Sequence, residues 1–352
     1  MQYQHAAVDE AGVTPPRHVE AGKLHFVTCG AVGRSFRFLP TTKVVELIWF
    51  VFAVMVAEFG IEVHEVVFMS NHFHVLLTDR RGNLPNFMRD FNSLLSRGLN
   101  ALRGSTGTNI EKGYNAVEPA DEERVVTHAV YTLVNPCAAH LVKRVRDWKG
   151  VSSYSWEYGE EVRFERPTSG LWKSVALALV ELRKLSRGKR VNRSKRRLRW
   201  AGRTKMPKSV GLALVRPKVM TELSDSELRQ HIRAEVNRHE SELSTERRKT
   251  GLTVLGMRRV RQQQYTDTPK TSRVLFNTTP RISGQDRWAR LDALSRRLDF
   301  EAAHAKARNE IAGLLADERG SRQLAVQLRK VVIPRGAWLL RKQFGSSCTC
   351  AA

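Results

Sequence analysis

Two histidines stand one residue apart inside an apolar run, "VVFMSNHFHVLLTD" (66–79). The run is rich in β-branched and aromatic residues and is interrupted by a Ser-Asn turn, so it predicts a β-hairpin with strands over 61–69 and 72–78. Alternate residues of a strand point to the same face, so His72 and His74 project together. Two neighbouring imidazoles on a rigid strand can bind a metal ion, although a pair of hydrogen-bonded core histidines would show the same pattern.

The segments around this hairpin predict an α+β fold. Apolar periodicity and capping residues indicate a strand over 23–30 and helices over 41–60, 84–102 and 121–134, the last ended by an Asn-Pro pair. The stretch between the last two helices is predicted to be a loop. This order of elements is typical of a ferredoxin-like antiparallel sheet covered by helices. Further helices are predicted over 224–239, from a Ser-x-x-Glu capping box, and over 286–315.

Charge divides the chain into two unequal parts. The whole chain has a net charge of +24, yet residues 1–160 contain 16 Lys and Arg against 17 Asp and Glu, whereas residues 161–352 contain 43 against 18. A strongly cationic half indicates a polyanionic partner, and nucleic acid is favoured over a membrane surface. A basic tail that serves only solubility is the alternative.

Neither a membrane segment nor a disulfide framework is indicated. The longest apolar run, 47–57, is too short to cross a bilayer, which needs about 20 residues. The polar N-terminal stretch lacks the apolar region of a secretory signal. The four cysteines do not suggest paired disulfides. We therefore expect a cytoplasmic protein without a membrane partner.

The helix predicted over 121–134 and the residue that follows it contain a second group of polar side chains that could take part in catalysis. Tyr131 and Asn135 are four residues apart and therefore share one helical face, with Thr127 and His128 beside them. A phenol can attack a phosphorus atom with the help of a cation and an amide oxygen. Because a free phenol has a pKa near 10, a metal ion or a base must help it to ionise. A core or rim tyrosine and a helix C-cap asparagine are the simpler interpretations.

Three ordered motifs together resemble a known family. They are "NHFHVLL" (71–77), the Tyr131-x-x-x-Asn135-Pro pattern, and "DWKGVSSY" (147–154). These resemble the REP-associated tyrosine transposases, single-tyrosine members of the HUH endonuclease superfamily, over roughly residues 22–158. The chain departs from the family pattern at Ser70, where proline is usual, and between the second and third helices, where a Trp-Gln stretch is missing.

The resemblance implies a metal site and a nucleophile. His72 and His74 would bind a divalent cation, Mg²⁺ or Mn²⁺, with Asn135 as the third ligand. Tyr131 would attack DNA, form a 5′-phosphotyrosine bond and release a 3′-hydroxyl. The substrates implied are single-stranded or hairpin DNA, and the protein would act as a monomer or a homodimer. Nitrogen ligands would make such a site tolerant of manganese.

The predicted regions are a flexible arm over 1–21, a transposase domain over 22–160, a basic linker over 161–210 and a C-terminal extension over 211–352. Within these, residues 183–208 contain 13 Lys or Arg and no acidic residue. Binding of such a segment to phosphates releases counterions and would make DNA affinity steeply dependent on salt.

Individual DNA contacts are predicted within the basic region. The predicted phosphate contacts are Arg193, Lys195, Arg196, Arg197 and Arg199. Three tryptophans could stack on bases, although core packing explains each of them more simply: Trp172, Trp200 and Trp288.

Three hypotheses of function follow. The first is a metal-dependent single-strand DNA endonuclease and strand transferase that uses Tyr131. The second is a non-catalytic DNA-binding regulator on the same fold, suggested by the cationic half. The third is a metal-dependent hydrolase of a small phosphoester that uses His72 and His74 and in which the tyrosine is dispensable.

Overall fold

The computed structural model describes residues 17–167, 206–220, 222–270, 281–317 and 326–334, with short pieces up to residue 350. The elements of its first half are β1 (Lys23–Gly30), α1 (Thr42–Phe59), β2 (Ile61–Phe68), β3 (His72–Asp79), α2 (Leu84–Arg103), β4 (Asn115–Pro119) and α3 (Glu122–Ala138). The strands form the order β2-β3-β1-β4, and these four pair antiparallel throughout. This is the ferredoxin-like arrangement, so the α+β prediction is confirmed.

Helices α1 and α2 cover one face of the sheet. The apolar residues of α1 are buried on nearly all sides because α1 also packs against a second small sheet. Trp49 of α1 stacks on Trp156 and Phe164, with ring centroids 4.7 and 5.1 Å away. The long apolar run is therefore a buried core helix. Within the described ranges, no helix is both long and apolar enough to cross a bilayer.

The close approach of α1 and α2 requires a glycine. A Cβ atom added to Gly98 of α2 would lie 2.7 Å from Cδ1 of Leu47 on α1. This separation is shorter than a normal van der Waals contact, so a side chain at Gly98 would require the buried Leu47 side chain or the helix itself to move.

Two local predictions are wrong. Strand β4 lies in the stretch predicted to be a loop, and it pairs with β1 through Phe26 and Val117. Its five residues have only one buried side chain, so the sequence shows no clear alternation there. Helix α3 does not end at Asn135 but continues past Pro136 to Ala138. A proline in the last turn removes a single backbone donor, and the amide of Ala139 still donates to the carbonyl of Asn135 (2.9 Å).

The elements of the second half, so far as the structure describes it, are β5 (Glu161–Glu165), β6 (Ser209–Ala213), α4 (Asp225–Thr250), α5 (Met257–Gln262), β7 (Ile282–Ser283), α6 (Arg287–Asp317), β8 (Val332–Ile333) and β9 (Thr349–Cys350). The predicted capping box at Ser224 and Glu227 is confirmed, although α4 is longer than predicted. Strand β5 pairs with β6, and β7 adds a parallel fifth strand beside β4.

Helix α4 is attached to the sheet by a buried ion pair. Arg229 of α4 and Glu65 of β2 are both almost completely inaccessible to solvent and form a salt bridge. The other carboxylate oxygen of Glu65 accepts a hydrogen bond from the Ser153 hydroxyl (2.5 Å), and the Arg229 guanidinium donates to the carbonyls of Ser153 and Tyr154. The "DWKGVSSY" motif is therefore part of the contact between sheet and helix.

Helix α4 also contacts the C-terminal end of α3. The Arg247 guanidinium donates to the carbonyls of Cys137 and Lys143, both at 3.4 Å. The Glu240 carboxylate accepts from the backbone amide of Val145 at 2.6 Å. Leu212 and Leu228, which follow residue 160, belong to the same hydrophobic core as the buried side chains that precede it. The predicted domain boundaries stay a prediction, but packing is continuous across that position.

Candidate active site

His72 and His74 lie on the sheet face that α3 covers. Their ring centroids are 4.8 Å apart with the planes nearly perpendicular. The intervening Phe73 points to the other face, where it packs against Phe91 of α2. The alternation of strand side chains thus places the two imidazoles together, as the sequence predicts.

Tyr131 is on the same side of the sheet as the imidazoles. Its ring centroid is 5.3 Å from that of His74, in an edge-on arrangement. Half of the accessible surface of this residue (50%) is exposed to solvent. A phenol in this position can meet a substrate that arrives from solvent while staying in contact with the histidines.

Asn135 lies beneath Tyr131, one turn along α3, and its side chain is buried. It forms a side-chain hydrogen bond with His72. Because α3 continues past it, Asn135 is an interior helical residue and Ala139 is the C-cap. The interpretation of Asn135 as a C-cap is therefore wrong. The structure brings together all four site residues predicted on the hairpin and α3.

Neighbouring polar groups orient both imidazoles. Nδ1 of His72 donates to Oδ1 of Asn71 at 2.7 Å, and Nδ1 of His74 is 2.9 Å from Oγ1 of Thr28 on β1. Nε2 of His74 is buried and has no hydrogen-bond partner among the described residues. A buried ring nitrogen without a partner is uncommon, and here it is on the ring that Tyr131 contacts.

Burial keeps these histidines neutral. It lowers the pKa of His72 to about 4, with the hydrogen bond to Asn135 acting in the opposite direction and the charge of Arg34 adding to the decrease. Burial lowers the pKa of His74 well below its usual value, and the neighbouring imidazoles of His72 and His128 add to the decrease because two adjacent rings resist being protonated together. A neutral imidazole has a lone pair that can bind a metal ion.

Phe26 supports the site from β1. Its ring stacks on His74 at 5.3 Å and on His128 at 4.4 Å, and it meets Tyr131 edge-on at 5.8 Å. Nε2 of His128 is hydrogen-bonded to the Ser283 hydroxyl of β7 at 2.8 Å. One aromatic ring of the sheet thus contacts His74, His128 and Tyr131 together.

The donors at the site suit a cation that completes its shell with substrate or water. The described residues include no group of three His, Cys, Asp or Glu able to hold a metal ion. The ligands from this chain would be two imidazole nitrogens and an amide oxygen, and the unpartnered Nε2 of His74 fits such a role. Mn²⁺ and Mg²⁺ both accept mixed shells in which water and phosphate oxygens take several positions.

The predicted phosphate contacts and two of the tryptophans lie outside the described residues, namely Arg193, Lys195, Arg196, Arg197 and Arg199 together with Trp172 and Trp200. Trp288 of α6 is described, and its side chain is 74% exposed. Core packing is therefore the wrong interpretation of Trp288.

Sequence reasoning missed the residues that orient the site. Asn71 directly precedes His72 in the sequence, and this adjacency could have indicated that its side chain orients the imidazole. The sequence does not indicate that Thr28 and Phe26 contact the site, because their positions relative to His74 depend on the register between β1 and β3.

The chain was compared with protein-family models, curated proteins and solved structures. No protein-family model matches the chain, and no curated protein matches it. A similar solved structure is described as "Structure of the REP associates tyrosine transposase bound to a REP hairpin"; it is 17% identical, with a TM-score of 0.35, over 40% of this chain and 82% of that chain.

Proposed function

We propose that this protein is a metal-dependent single-strand DNA endonuclease and strand transferase with Tyr131 as nucleophile. The observation that supports this most directly is the contact between the Tyr131 and His74 rings, beside a buried imidazole nitrogen that lacks a partner. The ordered sequence motifs that resemble the single-tyrosine transposases support the same assignment.

His72, His74 and Asn135 would hold Mg²⁺ or Mn²⁺. When bound, the metal would polarise a non-bridging oxygen of the scissile phosphate and reduce its negative charge. Asn71 binds Nδ1 of His72 and Thr28 binds Nδ1 of His74, so the Nε2 atoms point toward the proposed metal position, where Nε2 of His74 has no partner among the described residues. Outer hydrogen bonds of this kind fix the tautomer and orientation of metal-binding histidines.

Tyr131 would perform nucleophilic catalysis. Its phenolic oxygen bonds to phosphorus, and the bond between phosphorus and the 3′ oxygen of the preceding nucleotide breaks. The phenol loses its proton to water at the exposed rim, and the departing 3′ oxygen gains one to become a hydroxyl. The 5′-phosphotyrosine bond conserves the energy of the cleaved ester, so attack by a 3′-hydroxyl rejoins DNA without a nucleotide cofactor.

The proposed substrate is single-stranded or hairpin DNA. A half-exposed tyrosine at the rim can reach an unpaired, flexible strand. The cationic second half of the chain would supply affinity for the phosphate backbone. The near-neutral first half would supply the nucleophile and the metal ligands.

The test is covalent adduct formation with single-stranded and hairpin oligonucleotides in the presence of Mn²⁺. We expect the intact protein to cleave the DNA and to form a band that survives denaturation, and the Tyr131→Phe variant to lose both. Tyr154→Phe is the matched control, since this tyrosine packs partly buried against the main hydrophobic core, where its backbone carbonyl binds Arg229 of α4. Cleavage by the Tyr131→Phe variant would show that the nucleophile assignment is wrong.

The cationic half of the chain favours a second candidate, a DNA-binding regulator without catalysis. This candidate predicts shifted DNA in gels with neither cleavage nor adduct at any Mg²⁺ or Mn²⁺ concentration. A single tyrosyl–DNA adduct would exclude it.

A further inference from the structure

A second group of cationic side chains lies on the sheet face opposite to Tyr131. Phe26 contacts the Tyr131 ring, so its neighbour His25 on β1 points to the α2 side. There, beside strand β4, is a cavity of about 40 Å³, whose lining includes His25, Arg17, Tyr114, Arg281 and Arg297. This volume exceeds what one water molecule needs and is too small for a nucleobase.

His25 lacks partners inside the protein. Its side chain is 6% exposed, and neither ring nitrogen has a hydrogen-bond partner within the described part of the chain. Burial lowers the pKa of His25 to about 4, so the ring is neutral and has one N–H donor. Buried polar groups nearly always find a partner, so the ring nitrogens of His25 offer unmet hydrogen-bonding capacity to a molecule that enters this cavity.

Three arginines meet at the same cavity. The Arg17 guanidinium donates to the Tyr114 carbonyl (3.2 Å) and stacks on the Tyr114 ring, 3.7 Å from its centroid. Burial, and then the charges of Arg297 and Arg17, lower the pKa of Arg281. Like charges brought together in a partly buried place raise the free energy of the protein unless an anion compensates them.

Acidic groups near the cavity are already paired. Glu118, which itself lines the cavity, forms a salt bridge with Lys23 (3.0 Å). Glu301, one turn along α6, forms a salt bridge with Arg297 (2.7 Å). These pairs neutralise part of the charge, yet Arg17 and Arg281 still face the same cavity as His25.

The C-terminal extension supplies two of the three arginines. The parallel pairing of β7 with β4 places Arg281 at the cavity, where its carbonyl accepts from the Glu118 amide at 2.9 Å. Arg297 comes from α6, which follows β7 directly. The extension therefore completes a site on the sheet that the first half alone would leave open.

We propose that this cavity binds a phosphate group, with Arg17, Arg281 and Arg297 donating to its oxygens and the N–H of His25 completing the set. Guanidinium groups match the geometry of phosphate oxygens and bind them by paired hydrogen bonds. Its assignment to a backbone phosphate of DNA rests on the proposed function, whereas binding of free phosphate does not.

The first experiment uses the full-length chain with isotope-labelled histidine and inorganic phosphate as the probe. We expect a saturable shift of the His25 NMR signals, with chloride at equal ionic strength as reference. Arg281→Gln should abolish the shift, and Arg297→Gln should weaken it. Arg238→Gln, at a 62% exposed arginine of α4 paired with Glu235, is the matched control and should bind as the unaltered protein does.

The outcomes separate this proposal from the proposed function. No saturable shift, or equal binding by folded Arg281→Gln and Arg238→Gln variants, would overturn the phosphate site. Thermal melting establishes that each variant is folded. Because no cleavage is measured, Tyr131→Phe should still bind phosphate, and a failed adduct assay leaves this result intact.

A second arm identifies the source of the phosphate. Hairpin DNA affinity is measured against salt concentration for the unaltered protein and for the Arg281→Gln/Arg297→Gln double variant. If DNA provides the phosphate, the double variant should bind more weakly, with a salt slope lower by about 0.9 for each DNA phosphate that it no longer neutralises. Phosphate binding with an unchanged slope would assign the site to free phosphate and exclude the DNA backbone.

Discussion

Thr28 and His74 face each other across neighbouring strands, and the Thr28 hydroxyl lies 2.9 Å from Nδ1 of His74. The opposite nitrogen of the same ring, Nε2, is buried without a partner in the described residues. A threonine on β1 thus determines which nitrogen of a β3 histidine is available to a ligand. This relationship links the register of the sheet to the chemistry of the proposed metal site.

Removing the Thr28 hydroxyl should weaken metal binding. In Thr28→Val, Nδ1 of His74 loses its partner, and the ring is no longer held in one orientation. Loss of such an outer hydrogen bond typically lowers metal affinity by about 10–100-fold. Titration with Mn²⁺, followed by calorimetry or electron paramagnetic resonance, measures this change. Thr28→Ser keeps the hydroxyl and should retain most of the affinity; if the valine variant bound Mn²⁺ as tightly as the serine variant, this role of Thr28 would be wrong.

Breaking the buried ion pair should destabilise the whole first half. Arg229→Met leaves the Glu65 carboxylate buried without its partner, which typically costs about 3–5 kcal/mol. Urea unfolding measures the change in free energy. Arg233→Met, one turn along α4, removes a partly exposed arginine paired with Glu157 and should cost no more than about 1 kcal/mol.

The contrast between those two variants also tests whether α4 and the sheet fold as one unit. A single unfolding transition that shifts for Arg229→Met is the expected result. Equal stability of the Arg229 and Arg233 variants would show that the contact between Glu65 and α4 contributes nothing to folding.

Stability should fall as the pH decreases from about 6.5 to about 4. Burial lowers the pKa of His64 to about 4 from its ordinary 6.5, while its Nδ1 donates to the Val215 carbonyl at 2.5 Å. Between these pH values the unfolded chain binds a proton that the folded chain does not, so acid favours unfolding. At about 1.4 kcal/mol per pKa unit, His64 alone contributes on the order of 3 kcal/mol over this range.

Urea unfolding at several pH values, with a chelator present to remove metal ions, measures that dependence. His64→Gln should have a shallower dependence of stability on pH than the unaltered protein. His239→Gln replaces a 44% exposed histidine on α4 and should leave the dependence unchanged. Identical curves for both variants would contradict the assignment to His64.

Local sequence patterns were sufficient for most of the first half of the fold. The β-branched run on both sides of residues 70 and 71 predicted the hairpin, and apolar periodicity predicted α1, α2 and the start of α3. Strand β4 was not predicted, because only Val117 of its five residues is buried and the sequence shows no apolar alternation there. The end of α3 was misplaced because a proline in the last turn removes a single hydrogen bond, and two further helical residues follow it.

What the sequence by itself determined is which side chains share a face of one element: His72 with His74 on a strand, and Tyr131 with Asn135 on a helix. These pairings follow from the repeat of a strand and of a helix, which is a local property of the backbone. Only the tertiary structure decided that α3 covers the histidine face of the sheet, and that Thr28 stands opposite His74. The same holds for Arg229, which reaches Glu65 across 164 residues. Such contacts depend on how distant surfaces pack and in which register strands pair, and no local pattern encodes either.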